Sequence, residues 1–236
     1  MNYVIPAYRI FPLGDAAMTI DFGNVIDETI NRIVLQLFED FRRNPLPGMV
    51  EAVSAYSSLT IYYDLFEVSK MIAANTTTYE FMYDKAKQRL QHQLTNETKS
   101  HQLFKVPVCY EKEFAPDIEY LARLKEISVD DVIRIHTSKE YHVYMLGFLP
   151  GFSYLGEVDE AIVVPRKQQP ITVAAGSVGI AGKQTGIYPF LSPGGWQIIG
   201  RTPLKLFDAE KEETTLLKAG DRVQFISISK DEFENY

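Results

Sequence analysis

Between Glu160 and Asp208 the chain carries Arg166, Lys167, Lys183, Arg201 and Lys205 but no Asp or Glu, although its formal charge is −7. An arginine offers a planar fork that grips a carboxylate or phosphate through two bonds, and a lysine offers a point charge. Residues 147–203 also hold ten of the fourteen glycines and six of the twelve prolines. That density of Gly and Pro makes turns and close backbone approaches rather than long helices. Cations among turns rich in backbone N–H groups suit an anion or a polar small molecule.

The individual residues narrow the chemistry. Gly182-Lys183 fails as a phosphate-binding P-loop: the first glycine of that motif falls at Ser177, and Gln184 stands where Ser or Thr is required. Lys183 is then either a point charge for a phosphate or a solvated turn lysine. Gln184 and Thr185, between Gly182 and Gly186, offer an amide and a hydroxyl to a ligand. Ala175-Gly176-Ser177-Val178-Gly179 lacks the first glycine and the following helix of a nucleophile elbow. Ser177 is therefore a turn serine or a ligand-bonding hydroxyl. His136 and His142 are the histidines nearest in sequence. His136 reads as a helix-end histidine favoured by the helix dipole, or as a general base. One cysteine, Cys109, and scattered histidines make no zinc site and allow no internal disulfide. Phe148, Phe152, Tyr154, Tyr188, Phe190 and Trp196 are mostly core, with Tyr188 and Trp196 the candidates to wall a pocket. Arg166 and Arg201 are the candidates for a carboxylate or phosphate, against the plainer reading of surface ion pairs.

These residues need a scaffold. Residues 16–22 alternate as a half-buried strand. Asp27 offers an N-cap, and Ile30, Ile33, Val34, Leu37, Phe38 and Phe41 form one apolar helical stripe that Asn44-Pro45 stops. Residues 49–55 and 59–63 are extended around a tight link, and a second helix over 78–94 buries Met82, Ala86, Leu90 and Leu94. Strand, helix, strand, strand, helix is a ferredoxin-like βαββαβ unit lacking its last strand. The polar run 94–102 is a boundary, giving domains over 1–95 and 103–230 and a solvated tail over 231–236. The second domain opens with a strand over 103–110. Helices follow near Pro116 and Ser128, then a strand over 141–149. Short extended pieces at 161–165, 172–175, 178–181, 197–199, 204–207 and 222–228 come after, as in a closed barrel or sandwich.

A chain of 236 residues with 46% hydrophobic and 23% charged residues is long enough for one or two globular domains. The acidic balance argues against nucleic acid as a partner. There is no basic head followed by an apolar core at the start, and no run of about 20 apolar residues. A cytoplasmic protein, with no membrane association, is the expectation.

The runs GFLPGFSYLG and TVAAGSVGIAGKQTGIYPFLSPGGWQIIGRTPLKLFD resemble the B-subunit family of bacterial 5-oxoprolinases, which includes KipI-type histidine-kinase inhibitors and was long labelled allophanate hydrolase subunit 1. GDAAMTIDFG and SAYSSLTIYYD fit more loosely, and Ser153 and Ala174 stand where the family has proline. The resemblance implies an α+β protein with an N-terminal ferredoxin-like domain and a C-terminal cyclophilin-like β-barrel. It implies work with a C-type subunit of related barrel fold and with an A-type subunit, opening 5-oxoproline to L-glutamate with ATP hydrolysis. On that reading His136, Lys183 and Arg201 are the catalytic candidates. Phe148, Phe152, Arg166, Ser177, Gln184, Thr185, Tyr188, Trp196 and Thr202 are the substrate or nucleotide contacts. ATP is the co-substrate, any Mg²⁺ is held mainly by the partner protein, and this chain alone is inactive. The other use of the family's barrel is to bind and inhibit a sensor histidine kinase.

Overall fold

A computed structural model describes residues 5–91 and 102–236, and the chain divides into two compact units, residues 1–99 and 100–236. The first unit runs β1 (Arg9–Pro12), β2 (Ala17–Asp21), α1 (Glu28–Arg43), β3 (Met49–Ser54), β4 (Ser58–Tyr63), α2 (Leu65–Ser69) and α3 (Thr78–Gln91). Asp27 caps α1 by accepting from the Ile30 amide at 2.9 Å. Ile33, Val34, Leu37 and Phe41 then face Met18, Ile20, Leu59 and Ile61 of the sheet and Met82 and Ala86 of α3. Asn31 lies on the same buried face. It is satisfied by donating to the Ala55 and Tyr56 carbonyls of the β3–β4 turn, at 3.2 and 2.9 Å.

The sheet order β1-β2-β4-β3 is antiparallel throughout. The edge beside β2, expected to wait for a strand after α3, is taken by β1 from the N-terminal side. The sequence pattern does not reveal β1, because its RIFP is short and ends in proline. Leu94 and nearly all of the expected boundary lie outside the described residues.

The second unit runs β5 (Leu103–Cys109), α4 (Ile118–Lys125), α5 (Val129–Thr137), β6 (Glu140–Leu146), β7 (Ser153–Gly156), a 3-10 turn (Glu160–Ile162), β8 (Ile171–Val173), β9 (Ser177–Ala181), β10 (Gln184–Ile187), β11 (Ser192–Gly194), β12 (Gln197–Arg201), β13 (Arg222–Ile228) and α6 (Lys230–Glu234). Seven strands close into a barrel in the order β10-β7-β6-β13-β5-β12-β9, and β8 and β11 form a separate ribbon. Val106, Val143, Leu155, Val178, Ile180, Ile187, Val223 and Phe225 belong to its core, joined by Leu121 and Val132 of α4 and α5.

Two expected extended pieces form no strand: residues 161–165 hold the 3-10 turn and a single bridge from Val164 to Gly182. Residues 204–207 form no strand, only a bridge between Phe207 and Thr215. The largely exposed 231–236 tail carries local structure: Ser229 and Glu232 form a reciprocal capping box that starts α6, and Phe233 packs on Phe114 with ring centroids 4.4 Å apart. Among the described residues no helix is long and apolar enough to cross a membrane.

Candidate functional site

Alternation along the barrel strands decides where each candidate goes. On β10, Thr185 and Ile187 turn inward, while Gln184 and Gly186 turn outward. On β9 the outward positions are Ser177, Gly179 and Ala181. The outward faces of β7, β9, β10 and β12 are covered by a second cluster of Phe152, Val173, Ala181, Tyr188, Trp196 and Ile198, with Leu149 and Tyr154 packed against it. Phe152 is its hub, with ring centroids 4.7 Å from Tyr154, 4.9 Å from Tyr188 and 5.5 Å from Trp196. The paired glycines Gly179 and Gly186 make room for it. A Cβ on Gly186 would stand 2.7 Å from the Ser153 carbonyl oxygen and 2.9 Å from the Trp196 ring. Trp196 and Tyr188 are 5% and 2% exposed, so they form the floor of this face rather than open walls.

A strap over residues 165–167 crosses this floor. Gln197 Nε2 donates to the Pro165 carbonyl at 3.1 Å, and the Lys167 amide donates to the Gly195 carbonyl at 2.7 Å. The Lys167 ammonium pairs with Asp117, whose carboxylate also accepts from the Ile198 amide at 2.7 Å. That is why α4 begins at Ile118 without a side-chain cap. Arg166 is exposed between these anchors, and its Nη2 and Nε lie 3.6 and 3.7 Å from where a Gly195 Cβ would be. Its charge reaches two phenols. Burial raises the pKa of Tyr154 and Tyr188, and Arg166 opposes the rise at both, after the Trp196 amide at Tyr188.

The acid-free stretch of sequence is not acid-free in space. Lys183 pairs with Glu160 at 2.5 Å, Lys167 with Asp117, and Lys205 with Asp208 at 3.1 Å. The Glu160 contact raises the Lys183 pKa. Of the five cations only Arg166 and Arg201 have no carboxylate partner among the described residues. Arg201 Nε donates to the Ala175 carbonyl at 2.8 Å.

Lys183 and Arg201 do not converge. Lys183 follows Gly182 in the two-residue turn between β9 and β10, where Gly182 has φ +58°. Arg201 pairs with Ser177 at the other end of β9, four residues away, or roughly 13 Å along a strand. Thr202 and Gly176 lie at that same end. A Cβ on Gly176 would collide with the Thr202 carbonyl oxygen, and the Thr202 hydroxyl accepts from the Leu204 amide at 3.2 Å. Ser177 opens a strand, as the missing helix of a nucleophile elbow required.

His136, the expected general base, is carried by α5 into the barrel and is fully buried. Its Nδ1 meets the Tyr110 hydroxyl at 2.8 Å, its Nε2 meets Thr185 Oγ1 at 3.0 Å, and its ring stacks on Phe225. Burial alone lowers its pKa to about 3. It is a neutral structural group that no solvent-borne substrate reaches, and Thr185 is its internal partner rather than a surface contact.

Phe148 is 64% exposed with φ +66°. The Leu149 amide donates to the Gly147 carbonyl at 2.8 Å, closing a γ-turn of the rarer, strained hand around it. With Leu149, Pro150, Gly151 and Thr215 it lines a shallow cavity of about 350 Å³. Backbone strain at an exposed aromatic is the kind that persists where function holds it.

Asp117, Gly195 and Ser192 belong to this region without any signal in the sequence. The Asp117–Lys167 partnership spans fifty residues and leaves no local pattern. Gly195 looks like one turn glycine among many. Among the described residues no group of three or more His, Cys, Asp or Glu is placed to hold a metal ion.

A model of the carboxyltransferase domain, subdomains C and D, matches residues 8–217. The chain is 44% identical over 231 residues to the 5-oxoprolinase B subunit of Bacillus subtilis, covering 97% of this chain and 96% of that protein. It is 33% identical over 219 residues to the 5-oxoprolinase B subunit of Escherichia coli O157:H7, covering 92% and 95%. The crystal structure of TTHA0988 superposes with a TM-score of 0.76 at 34% identity over 90% of this chain, which spans 40% of that longer one.

Proposed function

The chain belongs to the carboxyltransferase C/D-domain family that includes the bacterial 5-oxoprolinase B subunits, and from that premise we propose that it is the B subunit of an ATP-dependent 5-oxoprolinase. With its A- and C-type partners it opens 5-oxo-L-proline to L-glutamate while ATP is hydrolysed. What carries the reading is end-to-end similarity: the B. subtilis relative aligns over 97% of this chain and 96% of itself. A cyclophilin-like barrel is the fold name that fits the seven-stranded closure, and a ferredoxin-like name for the N-terminal unit rests on the family resemblance, since β1 stands where the last strand was expected.

A lactam amide is a poor electrophile. Transfer of the ATP γ-phosphoryl to its oxygen makes the ring carbon open to water, and the charge developing on the phosphoryl oxygens needs cationic groups and donors. Lys183 and Arg201 lie at opposite ends of β9, so they serve different parts of the substrates rather than one phosphoryl group. The sealed His136 leaves general-base chemistry to a partner protein. The ion that accompanies ATP is assigned to a partner protein, and on this reading the isolated chain is inactive.

The test is co-purification with A- and C-type subunits from the same source, followed by an ADP-release assay with and without 5-oxoproline. A stable complex with 5-oxoproline-dependent ADP release supports the reading. Full activity from the isolated chain, or a complex that ignores 5-oxoproline, defeats it.

A further inference from the structure

We propose that Arg166, seated over Gly195 beside Tyr188 and Tyr154, is the binding point for the single carboxylate of a small cyclic substrate. Its placement is built rather than incidental. Both neighbours in the chain are pinned: the Pro165 carbonyl accepts from Gln197 at 3.1 Å, and the Lys167 amide donates to Gly195 at 2.7 Å. Lys167 is further held by Asp117, in a pair whose side chains are 14% and 18% exposed. A guanidinium on a fixed backbone loses less freedom when it grips a ligand. The guanidinium lies beside Gly195: Nη2 and Nε are at ordinary contact distances, 3.6 and 3.7 Å, from its Cβ direction.

Charge decides between ligand classes. Arg166 has no carboxylate partner among the described residues, whereas Lys167 and Lys183 are neutralised by Asp117 and Glu160. One uncompensated positive charge matches one carboxylate; a triphosphate calls for several cations or a metal. The floor is aromatic, formed by Phe152, Tyr188 and Trp196.

The neighbouring β8–β11 ribbon holds a buried hydroxyl. Ser192 is 8% exposed, and its Oγ has no hydrogen-bond partner among the described residues. It shares a face of β11 with Gly194, whose Cβ direction meets the Tyr188 hydroxyl at 2.8 Å. The positive field is felt at the phenols, where Arg166 opposes the burial-driven rise in pKa of Tyr154 and Tyr188. The proposal rests on the 5-oxoprolinase reading for the identity of the acid, not for its class.

The experiment follows Trp196 emission, the single tryptophan, while the full chain is titrated with 5-oxoproline, cyclopentanecarboxylate, 2-pyrrolidinone or ATP. Saturable binding of both carboxylates, and none of 2-pyrrolidinone, which is 5-oxoproline without its carboxylate, is expected. Arg166→Gln should weaken carboxylate binding at least about tenfold at unchanged melting temperature, and Arg166→Lys should restore part of it. Equal affinity in Arg166→Gln overturns the site. So does 2-pyrrolidinone binding as tightly as 5-oxoproline, or Arg166-dependent binding of ATP alone.

The two ideas fail separately. Arg166-dependent carboxylate binding without glutamate formation by the assembled complex keeps the site and defeats the enzyme reading. A complex that turns over 5-oxoproline with an unchanged KM in Arg166→Gln keeps the enzyme and defeats the site.

Discussion

Nε2 of His136 lies 3.0 Å from Oγ1 of Thr185, which is itself 3.0 Å from the Gly179 carbonyl it donates to. With that hydroxyl proton committed, Nε2 carries the imidazole proton and Nδ1 accepts from Tyr110, so the chain from Tyr110 to Gly179 is fully satisfied with a neutral ring. The folded pKa of about 3 lies below the ordinary 6.5. The unfolded chain therefore binds the proton first, and stability is full above pH 6.5 and falls as pH drops toward 3, by up to about 1.4 kcal/mol per pH unit. Melting temperatures between pH 7 and 4 should fall more steeply for the native chain than for His136→Gln. In the assembled complex, His136→Gln should lose no more activity than its loss of folded protein explains. A larger loss would put His136 back in the chemistry.

Two glycines of the same region should respond unequally. Gly186→Ala forces a Cβ to 2.7 Å from backbone and 2.9 Å from Trp196. It should destabilise the barrel by about 1–3 kcal/mol and shift Trp196 emission to the red. Gly195→Ala has no neighbour closer than 3.6 Å and no positive φ, and should melt within about 2 °C of the native chain. Equal melting temperatures for the two would contradict the packing described.

Asp117 is a positioning residue for the strap. Asp117→Asn keeps a carbonyl for the Ile198 amide but gives up the charge that holds Lys167. The expected result is carboxylate binding weakened several-fold with Arg166 intact, and a modest loss of stability of about 1 kcal/mol. Unchanged affinity would mean that the two backbone anchors suffice.

Ser229→Ala removes half of the capping box that starts α6, and should cost about 1 kcal/mol. Phe233→Ala strips the ring from Phe114 and should cost a comparable amount. Both are read from urea unfolding midpoints. A silent Phe233→Ala would make α6 a free tail after all.

The strands with strong alternation were legible from sequence, among them β2, β4, β9 and β13, and so was α1 with its Asp27 cap. β7, β10 and β11 were not. Their SYLG, QTGI and SPG are short and carry Gly or Pro, the marks of turns; in β10 the glycine is Gly186, which stands where a side chain would collide with Trp196. The candidate site was half legible. Arg166 and its aromatic neighbours were named from residue type. The pairing of Lys183 with Glu160 and Lys167 with Asp117 was hidden, because acids excluded from a stretch of sequence return through the fold. Burial depth was hidden too: the last turn of α5 was readable, but not that it plugs a barrel and seals His136.

The central claim is most directly tested by measuring glutamate and ADP together, from 5-oxoproline and ATP, for the isolated chain and for the chain combined with A- and C-type subunits. The account predicts equal amounts of glutamate and ADP from the complete set and neither from the isolated chain. ADP without glutamate, or no 5-oxoproline dependence in the complete set, would contradict it.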